Sequence, residues 1–235
     1  MRRFNFKYVY NLRECGGYST PEGSTKERVF LRSDNLTHLL ASEIQQLKTY
    51  GLGRVIDLRH AEEIAHEPDP FSKDVDVRYE NIAVTDYAAH TLEDMNRITL
   101  SDIYITMAEN KGFIQRVFQS LADEEKTTLF HCSAGKDRTG IIAAILYKLV
   151  GVAEVDIIAD YQVSFTYLMP KYSALENNPS TQYTNLFDSK AQTMANFLDY
   201  LNRTYASMEA YLLSKDIPQN TIDRLKSKFV ERNPQ

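Results

Sequence analysis

The sequence predicts an α/β fold: a central, largely parallel sheet flanked by helices, with a C-terminal helical lid or extension. Three observations predict it. Strand-like and helix-like segments alternate through the first 150 residues, the pattern of strands joined by crossover helices. One apolar run, TTLF (Thr127–Phe130), enters a glycine-containing loop and a second, IIAAILYKLV (Ile141–Val150), leaves it. The length, 235 residues, suits one α/β domain with an elaboration and is enough to bury a full core.

The elements follow in chain order. NLRECGGYSTPEGS (Asn11–Ser24) is turn-rich, with Gly16-Gly17 and a Pro21-Glu22-Gly23 turn. VFLRS (Val29–Ser33) reads as a short strand. Leu36–Leu52 has helical apolar spacing, with Gly51 as its stop. RVIDL (Arg54–Leu58) reads as a buried strand, His66–Asp74 as a loop, and VRYENIAV (Val77–Val84) alternates like another strand. Leu92–Leu121 is mostly helical in pattern, and its later part, GFIQRVFQSL, is amphipathic. Strand Thr127–Phe130 and helix Thr139–Val150 flank the loop HCSAGKDRTG (His131–Gly140). Ala153–Leu168 starts helical, Met169–Phe187 reads as a connection rich in Tyr, Asn, Ser and Pro, and two helices, Ala191–Leu213 and Gln219–Val230, close the chain. With no internal repeat and no low-complexity tract, residues 1–235 are expected to form a single domain, with residues 161–213 as a helical lid insertion.

Charge narrows the function. The net charge is -5, and no long basic block stands out. Any positive potential must therefore be local, which suits a small anionic group and argues against nucleic acid. Cys15 and Cys132 are the only cysteines, a count that points to a reducing compartment or to free thiols. Met1-Arg2-Arg3 is basic, but FNFKYVYNLR (Phe4–Arg13) is too polar for a signal-peptide core, and the apolar run Ile141–Tyr147 is too short to span a bilayer. The expectation is a soluble protein without a transmembrane segment, cytoplasmic by default, for which export without a cleaved signal would leave no trace. The oligomeric state is not legible.

A strand, a glycine-containing loop and a helix together hold an oxyanion. Backbone N–H groups curl into a nest, and the helix's first turn adds free N–H groups with the positive end of its dipole behind them. Gly135 lets the backbone turn, while Ser133, Ala134 and Gly135 are small enough for a phosphate to settle on the backbone. A cysteine at the start of such a nest ionises easily. Cys132 is thus a candidate nucleophile, and Arg138, six positions on, can bind two oxygens of a tetrahedral anion side by side. Thr139 can give its hydroxyl to the sulfur. The chemistry this suggests is phosphoryl transfer to sulfur, with a cysteinyl-phosphate that water hydrolyses, and with no metal or cofactor required. A lone buried cysteine before a helix is ordinarily a small hydrophobe, and Cys-x5-Arg alone would be weak. The combination of His131, Cys132, Gly135, Arg138, Thr139 and Gly140 between an apolar strand and an apolar helix is far more specific.

HCSAGKDRTG resembles the signature of the Cys-x5-Arg protein tyrosine phosphatases. Its Lys136-Asp137 pair is similar to that of the bacterial group that includes the mycobacterial and listerial phosphatases acting on phosphotyrosine and phosphoinositides. NLRECGGY (Asn11–Tyr18) resembles that group's Asn-Phe-Arg-Asp-x-Gly-Gly opening. FLRSDNL (Phe30–Leu36) and LGRVIDLRHAEE (Leu52–Glu63) match its Phe-Arg-Ser and Asp-Leu-Arg segments. IIADYQVS (Ile157–Ser164) and TYASMEAYLLSKDIP (Thr204–Pro218) also fit, so nearly the whole chain is covered. The resemblance implies a protein tyrosine phosphatase-like fold and a phosphorylated protein or phosphoinositide as substrate, with activity on phosphotyrosine and on phosphoserine or phosphothreonine. Two departures stand out. Cys15 replaces a small or aliphatic residue, and the absence of Trp removes the Trp-Pro-Asp loop of the eukaryotic enzymes.

That absence leaves the general acid open. Asp86, in AVTDYAA, sits where the mycobacterial enzyme places an acidic loop residue. Asp137 lies in the loop itself and points toward its mouth. Asp69, in PDP, looks like turn chemistry. Lys136 is either a solvated loop charge or a second cation beside the phosphate. His131 is expected to order the loop. Arg13, Arg32, Asp57 and Arg59 are expected to brace the strands beneath it as buried ion pairs, and Glu62 and Glu63 to face solvent at a helix start. Tyr167 or Tyr172 is a candidate for an apolar entrance over the cysteine. Phosphoinositide hydrolysis as the main activity, a rhodanese-like sulfurtransferase and a phosphate-binding pseudo-enzyme are the competing readings.

Overall fold

The computed structural model describes residues 2–84, 98–176 and 188–232. Asp86 and much of the Tyr-rich connection lie outside the described residues.

The central sheet has five strands in the order β1 (Arg13–Glu14), β4 (Phe30–Ser33), β7 (Thr127–His131), β5 (Leu52–Asp57) and β6 (Arg78–Asn81). β4, β7, β5 and β6 run parallel, and β1 is added antiparallel at the edge, Arg13 opposite Arg32. A second, antiparallel sheet joins β2 (Ser19–Thr20), β3 (Gly23–Thr25) and β8 (Val230–Arg232), tying the last strand back to the first turns of the chain.

Side-chain alternation along the parallel strands builds two cores, one on each face. Phe30, Ile56 and Phe130 enter the larger cluster, while their neighbours Leu31, Val55 and Leu129 enter the smaller one. The smaller side is closed by the N-terminal segment and α1 (Ala41–Tyr50), which ends at Gly51 in the left-handed region, as the glycine stop predicted. α2 (Ala61–His66) follows β5. The larger side is covered by α3 (Leu100–Glu109), α4 (Lys111–Asp123), α5 (Arg138–Leu149), α6 (Glu154–Glu176), α7 (Ala191–Thr204), α8 (Met208–Ser214) and α9 (Gln219–Phe229). α5 is buried along almost its whole length, from Thr139 to Tyr147. That explains why its sequence is apolar all round rather than on one stripe.

Three elements differ from the sequence expectation. Residues 169–176, read as connection, continue α6 past Pro170, because the buried Leu168 and Tyr172 anchor the helix on either side of the missing backbone donor. The closing helix expected over Ala191–Leu213 is two helices: Tyr205 is extended and Ser207 restarts the helix by accepting a hydrogen bond from the Ala210 N–H. The turn-rich N-terminal stretch carries β1 and the β2–β3 hairpin, strands too short to show a periodic pattern. Among the described residues no helix is long and apolar enough to cross a membrane.

Candidate active site

The loop between β7 and α5 turns on itself because its carbonyls are held from behind. Asn11 Nδ2 donates to the carbonyls of Ala134 (2.9 Å) and Gly135 (3.1 Å), and Arg32 Nη2 donates to Gly135 (2.8 Å). The Asn35 N–H donates to the Ser133 carbonyl at 3.2 Å. Within each peptide the N–H points opposite its C=O, so the amides of Ala134, Gly135 and Lys136 are directed to the other side, the interior of the cup. Gly135 has φ +65°, and a Cβ there would stand 2.3 Å from the Ser33 carbonyl oxygen. Only glycine lets the loop lie this close to β4.

Cys132 is buried at the base of this loop. Burial by itself would push its thiol up, but the Arg138 guanidinium and the hydroxyl and amide of Thr139 outweigh that and hold its pKa below the usual thiol value. The Thr139 hydroxyl has no hydrogen-bond partner among the described residues, which leaves it available to the sulfur. Cys15, the other free thiol, shows the opposite balance: burial pushes it up to about 12.

Arg138 is gripped by Glu63 of α2. Nη1 donates to Oε2 at 2.6 Å and Nη2 to Oε1 at 2.9 Å, a bidentate pair. The Ser133 hydroxyl donates to the same carboxylate, and Glu63 also accepts from the His60 N–H at 2.9 Å. Burial opposes its ionisation, yet Arg138 and Ser133 hold Glu63 down to about 2. The expectation of a solvent-facing Glu63 is therefore corrected: α2 turns this residue back onto the loop, while Glu62 is exposed as expected.

The bracing residues fall into two buried clusters. Arg13 Nε (2.9 Å) and Arg32 Nη1 both bind the Asp160 carboxylate of α6, and Arg13 also donates to the Asp160 carbonyl (2.8 Å) and Ser164 Oγ (3.1 Å). Tyr18 adds its hydroxyl to Asp160 at 3.1 Å. On the other side Arg59 binds Asp57 through Nη2 at 2.7 Å and Nε at 3.0 Å, and Tyr79 donates to the same carboxylate at 3.0 Å. His131 Nε2 lies 3.1 Å from Asp69 Oδ2 and 3.7 Å from Asp57 Oδ2. Burial alone would favour the neutral ring, but the two carboxylates prevail and raise the His131 pKa. Asp69 does make its predicted turn, accepting from the Phe71 N–H at 2.8 Å, but its buried carboxylate is committed to His131. Asp57, Asp69 and His131 bring one ligand-type atom each within 4.8 Å of one another, but Arg59 already occupies Asp57 and supplies the compensating charge.

Asp137 and Lys136, also in the loop, pair with each other and with residues outside it. Lys136 is not a solvated loop charge: it is buried, its Nζ donating to the Asp188 carbonyl at 3.0 Å and lying 3.5 Å from Asp137 Oδ1. Asp137 Oδ1 accepts the hydroxyl of Tyr104, which in turn lies 2.8 Å from the Tyr161 hydroxyl. Tyr167 is not at an entrance but packs beneath Arg3, whose guanidinium is 4.1 Å from the ring centroid. Tyr172 is buried within electrostatic reach of Asp137, Asp34 and Cys132.

Cys132, Ser133, Ala134, Gly135, Lys136, Asp137, Arg138 and Thr139 thus share one cup, with His131, Asp57 and Arg59 behind it. Glu63, Tyr104, Asp160 and Asn11 were missed as members. The signal for two of them was the resemblance, since Asn11 and Asp160 both lie in segments shared with the resembling group.

Comparison with known proteins finds relatives of this chain. A family model described as "Tyrosine phosphatase family" matches residues 4–231. A tyrosine-protein phosphatase of Nostoc commune is 30% identical over 213 residues, covering 84% of this chain and 72% of its own. The triple specificity protein phosphatase PtpB of Mycobacterium tuberculosis is 23% identical over 271 residues, covering 93% and 95%. A crystal structure of P. aeruginosa TpbA is 16% identical and covers 80% of this chain and 87% of its own, with a TM-score of 0.40.

Proposed function

The chain belongs to the tyrosine phosphatase family, and on that premise we propose that it hydrolyses phosphotyrosine through a cysteinyl-phosphate at Cys132, with phosphoserine, phosphothreonine and phosphoinositides as further substrates. One observation carries the reading. The thiol held below its usual pKa lies where loop amides converge and a guanidinium faces it. In this reading residues 1–235 act as a single domain, with residues 161–213 as its helical lid.

In the first step the Cys132 thiolate attacks phosphorus, the ester P–O bond breaks, and the leaving oxygen takes a proton from a carboxylic acid. In the second step water attacks phosphorus, the P–S bond breaks, and the same carboxylate takes the water's proton. Arg138 offers N–H donors to the equatorial oxygens while Glu63 anchors the guanidinium beside the loop, where Nη1 also donates to the Leu58 carbonyl at 3.3 Å. Asp137 is the acid in this reading: it is at the cup, within electrostatic reach of the sulfur, and its side chain is 30% exposed. The buried Lys136 ammonium, 3.5 Å from Asp137 Oδ1, adds positive potential behind that acid, which in this reading favours polyanionic inositol headgroups. The triple specificity of the mycobacterial relative supports that breadth.

The test is metal-free, vanadate-sensitive hydrolysis of p-nitrophenyl phosphate, abolished by Cys132→Ser, followed by a panel of phosphotyrosine, phosphoserine and phosphoinositide substrates. Asp137→Asn is expected to lose far more activity on poor leaving groups than on good ones. The same pattern in Asp86→Asn instead would move the acid there. Thiosulfate-to-cyanide sulfur transfer without phosphate release would replace the reading with a rhodanese, and tungstate binding without turnover would replace it with a pseudo-enzyme.

A further inference from the structure

Asp137 occupies the N-cap position of α5, yet its carboxylate does not cap that helix. An aspartate there ordinarily turns onto the N–H groups of the first turn, an interaction worth ~1 kcal/mol. Here the backbone is helical (φ −84°, ψ −79°) rather than extended, and Oδ1 accepts instead from Tyr104 of α3. In the first turn of α5 the Thr139 amide is turned to the Cys132 sulfur, beside the mouth of the cup. A carboxylate folded onto that turn would compete with the thiolate for the amide and would repel an oxyanion bound next to it.

We infer that Tyr104 is a positioning residue that draws the Asp137 carboxylate off the start of α5, keeping the cup open to an oxyanion and leaving Oδ2 as the atom that handles the leaving-group proton. The inference rests on the phosphatase reading above.

The tyrosine is well placed for this. It is fully buried, with its ring packed edge-on against Tyr161 at 6.0 Å and against Phe197 at 6.2 Å, so its hydroxyl has one direction. The single proton of that hydroxyl goes to Asp137, so the Tyr161 hydroxyl, 2.8 Å away, must donate to Tyr104. The chain Tyr161→Tyr104→Asp137 polarises along its length. Burial and the Asp137 charge push the Tyr104 pKa far above its ordinary value, so the donor stays protonated throughout the working range. Lys136 Nζ also lies nearest Oδ1, at 3.5 Å. Among the described residues these two contacts fall on Oδ1, and in this proposal Oδ2 is the atom that meets the substrate.

The experiment measures the inhibition constant of tungstate, with p-nitrophenyl phosphate as substrate, for wild type, Tyr104→Phe, Asp137→Ala and the double variant. Tyr104→Phe should weaken tungstate binding roughly fivefold, the value of one cap interaction turned against the ligand. In the Asp137→Ala background the same substitution should change it less than about twofold, since no carboxylate remains to fold back. Wild-type turnover with tungstate inhibition secures the phosphatase reading independently. Given that, an unchanged inhibition constant in Tyr104→Phe, or an equal weakening in both backgrounds, overturns the inference, because a merely structural tyrosine would act without regard to residue 137. Should Tyr104→Phe not fold, Tyr161→Phe removes the outer hydroxyl of the chain. It should weaken tungstate about twofold in the presence of Asp137 and not in its absence, and no dependence on Asp137 would overturn the inference equally.

Discussion

Replacing Asp160 by Asn should destabilise the protein by ~3–5 kcal/mol, the cost of removing one partner from a buried ion pair. The structure sets the scale. Arg13 and Arg32 are both fully buried, and Asp160 is the carboxylate to which both are bonded. Burial opposes ionisation of Asp160, and the two guanidiniums overcome it, holding its pKa below the ordinary value. An asparagine restores one acceptor oxygen but turns an NH2 toward one of the cations, leaving a charge without a counter-ion in a dry site. For a chain of this length that loss corresponds to a fall in melting temperature of about 6 to 20 °C. It would also reach the cup. Arg32 Nη2 donates to the Gly135 carbonyl, so an arginine that relaxes away from α6 releases that carbonyl, and tungstate affinity should fall roughly tenfold, the worth of one charge-assisted hydrogen bond. Urea unfolding followed by far-UV circular dichroism gives the first number, and tungstate inhibition of the folded fraction gives the second. A loss below about 1 kcal/mol would mean that the two guanidiniums are paid for elsewhere, by water or by carbonyls alone, and the account of the brace would be wrong.

Other outcomes follow from the same geometry. Gly135→Ala puts a Cβ 2.3 Å from the Ser33 carbonyl oxygen at a φ of +65°, so it should cost ~2–5 kcal/mol from strain and overlap together, and it should abolish tungstate binding even where the chain still folds, checked by urea midpoint and calorimetry. Iodoacetamide should label Cys132 and leave Cys15 untouched until the chain is unfolded, since Cys15 is buried and pushed up to about 12 whereas Cys132 lies below the usual thiol value. Mass spectrometry of the peptides decides it, and phosphate should protect. His131→Asn should destabilise by ~3 kcal/mol near pH 6 and by clearly less near pH 9. The raised His131 pKa means that its contribution is fully present below the ordinary histidine value and is lost as pH rises through the folded one. A pH-independent difference between the two proteins would count against a charged His131.

How much of this was legible in the chain depends on whether the cause was local. The strand TTLF, the loop and the helix after it could be read directly, because period, glycine and cysteine placement act over a few residues, and the cup formed where the motif predicted. The parallel sheet was legible for a similar reason, since Arg54–Asp57 and Thr127–Phe130 are runs that must be covered on both faces. The helix stop at Gly51 was legible as well, being a property of one residue's backbone. The identities of the buried partners were not. Arg13 could be named as a bracing residue, but its counter-ion lies 147 positions away, and nothing local distinguishes Asp160 from any other helix-start acid.

The chain by itself therefore determined the chemistry at the centre: a thiol, a guanidinium and a run of small residues at the mouth of a helix, whose action depends on backbone direction and short spacing. The tertiary structure alone decided which carboxylate grips that guanidinium, which pins the loop's arginines and which tyrosine holds Asp137 off its own helix. Glu63, Asp160 and Tyr104 come from α2, α6 and α3, elements brought to the loop by the packing of two apolar cores. The physical reason is range: hydrophobic burial places whole helices without regard to their few polar residues, and electrostatic pairing then selects among whichever of those residues arrive within hydrogen-bond distance.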